Sequence, residues 1–314
     1  MSKNCAIMTR MKKNYENRSK TFLTKRVPVI MRLDGKAFHT YTNKLIKPFD
    51  EGLIEDMADT AISLCSKIQG AKCAYVQSDE ISILITDYDK LASEAWFDYN
   101  VQKMTSVSAS MASGKFNQLR VRRNVFLGLR EQFYNEFNTD CEIAKRDIED
   151  KLRSFQLLTQ SFNDEPLADF DSRVANYPKE EVANYFLARQ KDAVKNSIAM
   201  MAQSLYSPDE LKNKNQSMMQ DMIHEKGLNW NDLHFSKKRG TFIIKNKYIN
   251  GISIEAKNKN GNNVIERFPD TGNYALFNEQ TLEWEDIINP IIRTKWESVE
   301  TPFSFNETNF KNWI

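Results

Sequence analysis

The sequence is poor in the residues that build the commonest metal and redox sites. Its 314 residues include only three histidines and four cysteines. No two cysteines are spaced Cys-x-x-Cys, which argues against a zinc ribbon and against a secreted disulfide scaffold. Three histidines are also too few to favour a multi-histidine metal centre.

Glycine is scarce as well, and the ten glycines form none of the usual phosphate-binding patterns. The sequence has no Gly-x-Gly pair, no Gly-x-x-x-x-Gly-Lys and no Gly-x-Ser-x-Gly, so a dinucleotide-binding turn, a P-loop and a hydrolase elbow are excluded. A bound triphosphate would therefore need lysine, arginine and metal. Lys36, Lys47 and Lys103 are the candidates, although such a residue is more often an ordinary surface lysine.

Long apolar runs are missing too. Stretches such as Val27–Leu33 and Ile81–Ile85 are far too short to span a bilayer. The first residues contain no apolar segment followed by a cleavage site, so we expect no secretory signal. These absences predict a cytoplasmic protein without a membrane partner.

Charge is balanced in total but unevenly distributed. The chain has 44 basic and 42 acidic side chains, yet residues 1–36 hold ten basic side chains against Glu16 and Asp34. Segregated positive charge suits a phosphate-rich partner such as nucleic acid, because neutralising phosphates releases counterions. A second basic cluster lies at Arg120, Arg122 and Arg123. From charge alone, a simple solvated surface remains an equal alternative.

The hydrophobic pattern predicts an α+β fold. We expect strands at Val27–Leu33, Lys72–Val76, Ile81–Thr86 and Arg173–Tyr177, and helices after Asp50, along the stripe Phe97–Met111 and from Pro178 to about Leu205. This order is typical of a ferredoxin-like or polymerase-palm antiparallel sheet with helices on one face. Helical and β-hairpin additions follow, with tight turns expected at Asn250-Gly251 and Asn260-Gly261.

Four segments are expected along the chain. Residues 1–130 would form a palm-like catalytic core with a basic N-terminal arm, and residues 170–245 the remainder of the catalytic domain. Between them, residues 131–169 would form an acidic helical insertion, since 131–171 holds eleven acids against four bases. Residues 246–314 would form a C-terminal hairpin and tail region.

Three acidic residues stand at predicted strand ends. Asp34 ends the first strand, and Asp79 and Glu80 lie in the hairpin between the second and third. If these strands are neighbours, the carboxylates meet at one edge, where they could ligate Mg²⁺ ions that assist phosphoryl transfer. Gly35 would let its carbonyl approach a cation closely. Taken alone, the Asp34-Gly35 dipeptide is more often a plain turn, and Ser78-Asp79-Glu80 is more often a polar hairpin tip.

For three further polar residues the sequence allows either a structural role or contact with a ligand. Arg189 and Asn196 lie on an apolar stripe of the long helix, where each could make a structural hydrogen bond or contact a ligand. His39 could donate to a phosphate or be structural.

Five motifs together resemble the tRNA-histidine guanylyltransferase family, whose members extend RNA in the 3′–5′ direction. The resemblance covers about residues 25–245. Its motifs are Met31-Arg-Leu-Asp-Gly-Lys-Ala-Phe-His39, Lys47-Pro-Phe-Asp50, Tyr75-Val-Gln-Ser-Asp-Glu-Ile-Ser82, Phe170-Asp-Ser-Arg-Val174 and Tyr185-Phe-Leu-Ala-Arg-Gln-Lys-Asp192.

The resemblance implies a palm domain and a set of site residues. Asp34, Asp79 and the Gly35 carbonyl would bind two Mg²⁺ ions, with Glu80 supporting the catalytic site. The nucleotide would be lined by Asp34, Gly35, Lys36, Ala37, Phe38, His39, Ser78 and Asp79, with Lys47 and Lys103 facing the triphosphate and Asn196 as a further candidate. The substrates would be GTP, ATP and the 5′ end of a tRNA, and relatives assemble as tetramers, which implies a homotetramer here.

One tract departs from the family pattern. Eukaryotic members show His-x-Asn-Asn where this chain has Val194-Lys195-Asn196-Ser197. That tract is associated with selecting tRNA-histidine, so the sequence looks more like the family's "like-protein" branch.

Four functions are compatible with this fold class and these motifs. The expected one is a nucleotidyltransferase adding GMP to the 5′ end of tRNA-histidine; the first alternative is template-dependent repair of 5′-truncated tRNAs. A GTP cyclase lacks its Gly-Gly-[Asp/Glu]-Glu-Phe signature, and the intact Asp34, Asp79 and Glu80 weigh against a non-catalytic RNA-binding protein.

Overall fold

The computed structural model describes residues 3–136, 167–252, 264–267, 274–278, 283–286 and 290–300. The chain divides into two units: one extends to Ile244 and resumes at Ser298, and the other spans Lys245–Glu297. Most of the predicted acidic insertion and the predicted Asn260-Gly261 turn lie outside the described residues.

The described helices lie in the first unit, and the described strands are divided between the two units. The helices are α1 (Lys3–Asn14), α2 (Phe38–Tyr41), α3 (Glu51–Lys67), α4 (Val101–Glu136), α5 (Lys179–Gln203), α6 (Pro208–Leu211), α7 (Gln216–Glu225) and α8 (Phe235–Lys238). The strands are β1 (Val29–Gly35), β2 (Ala71–Gln77), β3 (Glu80–Ile85), β4 (Phe170–Asn176), β5 (Thr241–Ile252), β6 (Val264–Arg267), β7 (Tyr274–Asn278), β8 (Glu283–Asp286) and β9 (Pro290–Glu300). No helix among them combines the length and apolarity that crossing a membrane requires.

The strands form two antiparallel sheets. The larger has the order β4-β1-β3-β2-β5-β9, and the smaller has the order β6-β7-β8. In the larger sheet, β1 pairs antiparallel with both β3 and β4, and β2 pairs antiparallel with β3 and β5. This mixed architecture confirms the predicted α+β class with a palm-like antiparallel sheet.

Helices cover both faces of that sheet. Ser108 of α4 donates to Ser172 Oγ at 2.8 Å, and Ser172 is the register partner of Leu33, so α4 lies on the Leu33 face. Ile30 points the other way and clusters with Phe186 of α5. The sequence predicts helices on one face only. A second layer is present because the side chains of β3 alternate between the two faces of the sheet, and all of them are buried.

The predicted helix after Asp50 is confirmed as α3. Its first turn is capped by Asp50, whose Oδ1 accepts from the Leu53 amide at 2.7 Å. The helix predicted from Phe97 instead begins at Val101, because Phe97 and Asp98 have φ angles of 51° and 56°, which a right-handed helix cannot contain.

The prediction of a tight turn at Asn250-Gly251 was wrong. β5 continues through both residues to Ile252. Asn-Gly reverses a chain where the flanking segments pair with each other, whereas the neighbours of β5 are β2 and β9.

A buried carboxylate joins α3 to α4. The Asp56 side chain is 2% exposed and accepts from Arg120 Nη1 at 3.1 Å and from Arg123 Nη2 at 2.9 Å. Arg123 also donates to the exposed Glu55 at 2.9 Å. Two members of the basic cluster predicted to suit a phosphate partner are therefore occupied inside the protein.

Replacing Asp56 by Asn should lower the free energy of unfolding by about 3 kcal/mol, since two largely buried guanidinium groups lose their shared counter-charge. Urea denaturation measures the change. Glu55→Gln is the matched control: Glu55 contacts the same Arg123 but its side chain is 65% exposed, so a loss of at most about 1 kcal/mol is expected. Equal losses of unfolding free energy in the two variants would contradict the claim that burial makes the Asp56 ion pairs the stronger ones.

Candidate active site

The pairing of β1 with β3 brings the predicted acidic residues to one edge of the sheet. Asp34 is the register partner of Glu80. The Gly35 amide donates to the Asp79 carbonyl at 3.1 Å, which ties the end of β1 to the hairpin tip. Asp34, which is distant in sequence from the consecutive Asp79 and Glu80, is thus their neighbour in the fold.

Glycine at position 35 is required by an aromatic ring. A Cβ built there would lie 2.2 Å from the Phe38 ring, so only glycine lets Phe38 pack against the strand end. Phe38 is 5% exposed, and its ring centroid lies 5.6 Å from that of Phe116 and 5.3 Å from that of Phe170. The predicted nucleotide-lining residue Phe38 therefore has a core side chain, and its backbone alone is left for such a contact.

Asp79 is held in an environment unfavourable to its charge. Burial raises the pKa of its carboxyl above the ordinary value, and the nearby Asp34 carboxylate raises it further. Its own backbone amide and the Ser78 hydroxyl oppose this shift by hydrogen bonding. The pair Asp34 and Asp79 is therefore a set of hard oxygen donors whose mutual repulsion a divalent cation would relieve.

This donor set fits Mg²⁺ better than a transition metal. In the described part of the chain, no three His, Cys, Asp or Glu side chains come together as a complete cage. Mg²⁺ binds through one or two carboxylates and leaves other positions to substrate phosphates and water. Asp34 and Asp79 have the chemistry of such an open site.

Glu80 differs from its neighbour because arginines neutralise it. Arg189 of α5 lies 3.0 Å from Glu80 Oε2, and Arg32 lies 3.7 Å from the same oxygen. The Ser82 hydroxyl donates to Glu80 Oε1 at 3.2 Å and lies 3.0 Å from the Tyr185 hydroxyl. Arg189, for which the sequence left two interpretations open, thus makes a structural ion pair with Glu80.

A pocket beside the hairpin tip gathers several predicted nucleotide residues. Lys47, Ser78 and Asn196 all line it, and its volume is about 110 Å³. Two further lysines at the wall, Lys237 and Lys238, were missed by sequence reasoning. Their signal was the basic run Lys237-Lys238-Arg239 shortly before β5, but nothing local in the sequence links that run to the hairpin.

The pocket lysines are anchored by protein oxygens. Lys47 Nζ donates to the Thr42 carbonyl at 3.0 Å, and Lys237 Nζ lies 2.6 Å from Glu51 Oε1. Lys238 Nζ donates to the Asn231 carbonyl at 2.6 Å. These contacts hold three ammonium groups near one cavity, and the Glu51 carboxylate offsets the charge of Lys237.

Other predicted nucleotide residues lie elsewhere. Lys36 and Ala37 are exposed in the turn that follows β1, and His39 is exposed on α2. Lys36 is 3.7 Å from Asp169. Lys103, at the start of α4, has its Nζ 5.7 Å from the centre of the Phe97 ring. None of these four is among the residues lining the pocket.

Comparison with known proteins identifies the family. Residues 8–178 match the profile described as Thg1, tRNAHis guanylyltransferase. The chain belongs to the tRNAHis guanylyltransferase family. It is accordingly an enzyme of the nucleotidyltransferase class, and the family match confirms the resemblance seen in the motifs.

Solved structures and curated relatives agree with this assignment. A bacterial Thg1-like protein in complex with ATP is 44% identical with a TM-score of 0.60, covering 76% of this chain and 88% of its own. A bacterial Thg1-like protein in complex with GTP is 36% identical with a TM-score of 0.61, covering 98% and 97%. A probable tRNA(His) guanylyltransferase from Dictyostelium discoideum is 22% identical, covering 71% and 77%.

The tract that departs from the family pattern, Val194-Lys195-Asn196-Ser197, has a structural role in this protein. The Ser197 hydroxyl is buried, donates to the Lys238 carbonyl at 3.1 Å and accepts from Trp230 Nε1 at 3.0 Å. It therefore fixes the segment carrying Lys237 and Lys238 against α5. Asn196 beside it is exposed and lines the pocket.

Asp79→Asn should raise the thermal unfolding temperature at neutral pH in buffer without divalent metal. The raised pKa of Asp79 means that its ionisation costs more in the folded than in the unfolded protein. This cost is present at neutral pH and disappears as the pH falls to the ordinary aspartate pKa of about 3.9. Thermal unfolding of both proteins across this pH range should show a difference that shrinks on acidification.

The control is Asp221→Asn, an exposed aspartate on α7, which should not change the unfolding temperature. An Asp79→Asn protein no more stable than the parent at neutral pH would contradict the repulsion described above.

Proposed function

We propose that this protein adds nucleotides to the 5′ end of tRNA in the 3′–5′ direction, using GTP as the incoming nucleotide and ATP for activation. One observation supports this most: in a member of the tRNAHis guanylyltransferase family, Asp34 and Asp79 adjoin at a sheet edge next to a pocket lined by Lys47, Lys237 and Lys238. An acidic pair beside a cationic pocket suits metal-assisted phosphoryl transfer.

The proposed reaction has three steps. The tRNA 5′-monophosphate takes AMP from ATP, and pyrophosphate leaves. The 3′-hydroxyl of GTP then attacks the activated phosphorus and displaces AMP. Loss of pyrophosphate from the new end restores a 5′-monophosphate.

The residues of the chain would divide this work. Lys47, Lys237 and Lys238 would neutralise and orient triphosphate oxygens, which places the attacking hydroxyl. Asp34 and Asp79, with the Gly35 carbonyl, would hold two Mg²⁺ ions; when bound, these supply charge neutralisation and polarise the reacting oxygens. Glu80 would act as a positioning residue, since Arg189 and Arg32 occupy its carboxylate.

Template-dependent repair of truncated tRNAs is favoured over strict tRNA-histidine selectivity. The tract associated with that selectivity lacks its histidine, and Ser197 is used to bind Trp230 and the Lys238 carbonyl. The 44% identity to a bacterial Thg1-like protein supports the same choice.

A 5′-monophosphorylated tRNA lacking its first nucleotide should gain residues when incubated with the protein, Mg²⁺, ATP and GTP. Asp79→Asn should lower kcat by at least about a hundredfold, because one of two carboxylate donors is lost, while gel-shift affinity for the tRNA stays the same. Extension is measured on denaturing gels with 5′-labelled RNA, and Asp221→Asn serves as the control with full activity. Undiminished extension by the Asn variant, or cyclic GMP formed without RNA, would refute the assignment.

Truncated tRNA-histidine and an equally truncated tRNA of another identity should be extended at similar rates, since the histidine of the selecting tract is absent. Addition should stop when the 5′ strand is fully paired with its 3′ partner. A guanosine added only to full-length tRNA-histidine would instead support a guanylyltransferase that is selective for tRNA-histidine. Parallel single-turnover assays on the three RNAs separate these outcomes.

A further inference from the structure

A second concavity runs along α5, separate in its lining from the lysine pocket. Its volume is about 800 Å³, and it is open to solvent. Residues of α5 from Leu187 to Lys195 form one wall, and Gln216, Trp230 and Arg239 complete it. We call this concavity the α5 groove.

The α5 groove carries an excess of positive charge. Its lining includes Arg189, Lys191, Lys195 and Arg239 against a single acid, Asp192. That acid lies 3.7 Å from Arg189 Nη2, so part of its charge is already offset. The balance favours an anionic ligand.

Two of these cations are available to such a ligand. Lys191 and Lys195 are exposed, and neither makes a hydrogen bond or an ion pair with another residue in the described ranges. Lys47, Lys237 and Lys238 of the first pocket each use one ammonium donor on a protein oxygen and keep the others for a ligand. The side chains of Lys191 and Lys195 are not needed to hold the fold.

The groove also starts next to the acidic edge. Arg189 in its lining contacts Glu80 at 3.0 Å, and Glu80 directly follows Asp79. Lys191 and Lys195 are one helical turn apart on the same stripe, about 6 Å along the axis. The groove lining thus reaches the acidic edge at Arg189, while Lys191 and Lys195 lie on the opposite side of α5 from that contact.

We propose that the α5 groove binds the phosphate backbone of the RNA close to its 5′ end, with Lys191 and Lys195 as the contacting cations. A long open groove with spaced cations suits successive phosphates along a strand better than one compact triphosphate. The proposal rests on the proposed function for the identity of the RNA and of its reacting end.

The test is the double variant Lys191→Gln/Lys195→Gln, assayed by fluorescence anisotropy with a 5′-monophosphorylated tRNA over a range of salt concentrations. Each lost phosphate contact lowers the slope of log affinity against log salt by about 0.7 to 0.9. The double variant should therefore lose about 1.5 from the slope and bind more weakly at low salt. In extension assays KM for tRNA should rise, while KM for GTP and kcat at saturating tRNA stay unchanged.

The matched control is Lys212→Gln/Lys214→Gln, which removes the same charge from two exposed lysines outside the groove. Equal salt slopes for the two double variants would overturn the proposal. A raised KM for GTP with unchanged RNA binding would also overturn it, by assigning the groove to the nucleotide. If the parent protein binds tRNA but never extends it, the proposed function fails, and the slopes still decide the groove.

Discussion

The antiparallel register of β1 with β3 is the constraint on which the candidate site depends. A slip of one residue would move Asp34 away from Glu80 and turn its side chain to the opposite face of the sheet. The register is held by burial, since Val29, Met31 and Leu33 are completely buried on one face of β1. The hydrophobic core beneath the sheet thus determines where the carboxylates lie above it.

The same edge gives two consecutive acids different properties. Glu80 is paired with arginines and hydrogen-bonded to Ser82, so its charge is compensated within the protein. Asp79 faces burial and the Asp34 carboxylate instead. A carboxylate that is offset only by hydrogen bonds is costly to the fold and suited to binding a cation, which is the usual compromise of functional sites.

The sequence could predict what depends on neighbours along the chain. The Asp50 cap, the helix α3 and the β2–β3 hairpin follow from local periodicity and turn chemistry, and the meeting of Asp34 with the hairpin follows once the two strands are assumed adjacent. It could not predict contacts made across long separations. Arg189 reaches Glu80 from 109 residues away, and Lys237 and Lys238 arrive at the pocket only because the chain returns at β5. Nor could it predict that the Phe38 side chain packs in the core, because an aromatic residue in a motif gives the same signal whether its ring packs inside the protein or stacks on a base.

The contact between Gly35 and the Phe38 ring links the reacting edge to the interior of the protein. Phe38, Phe116 and Phe170 come from α2, α4 and β4, so three separate elements fix the height of the backbone next to Asp34. A substitution that replaces any of these rings with a larger or smaller side chain would displace the Asp34 carboxylate without contacting it. On the side of the pocket lined by Asn196, by contrast, the side chain is exposed and can change without repacking these aromatic groups.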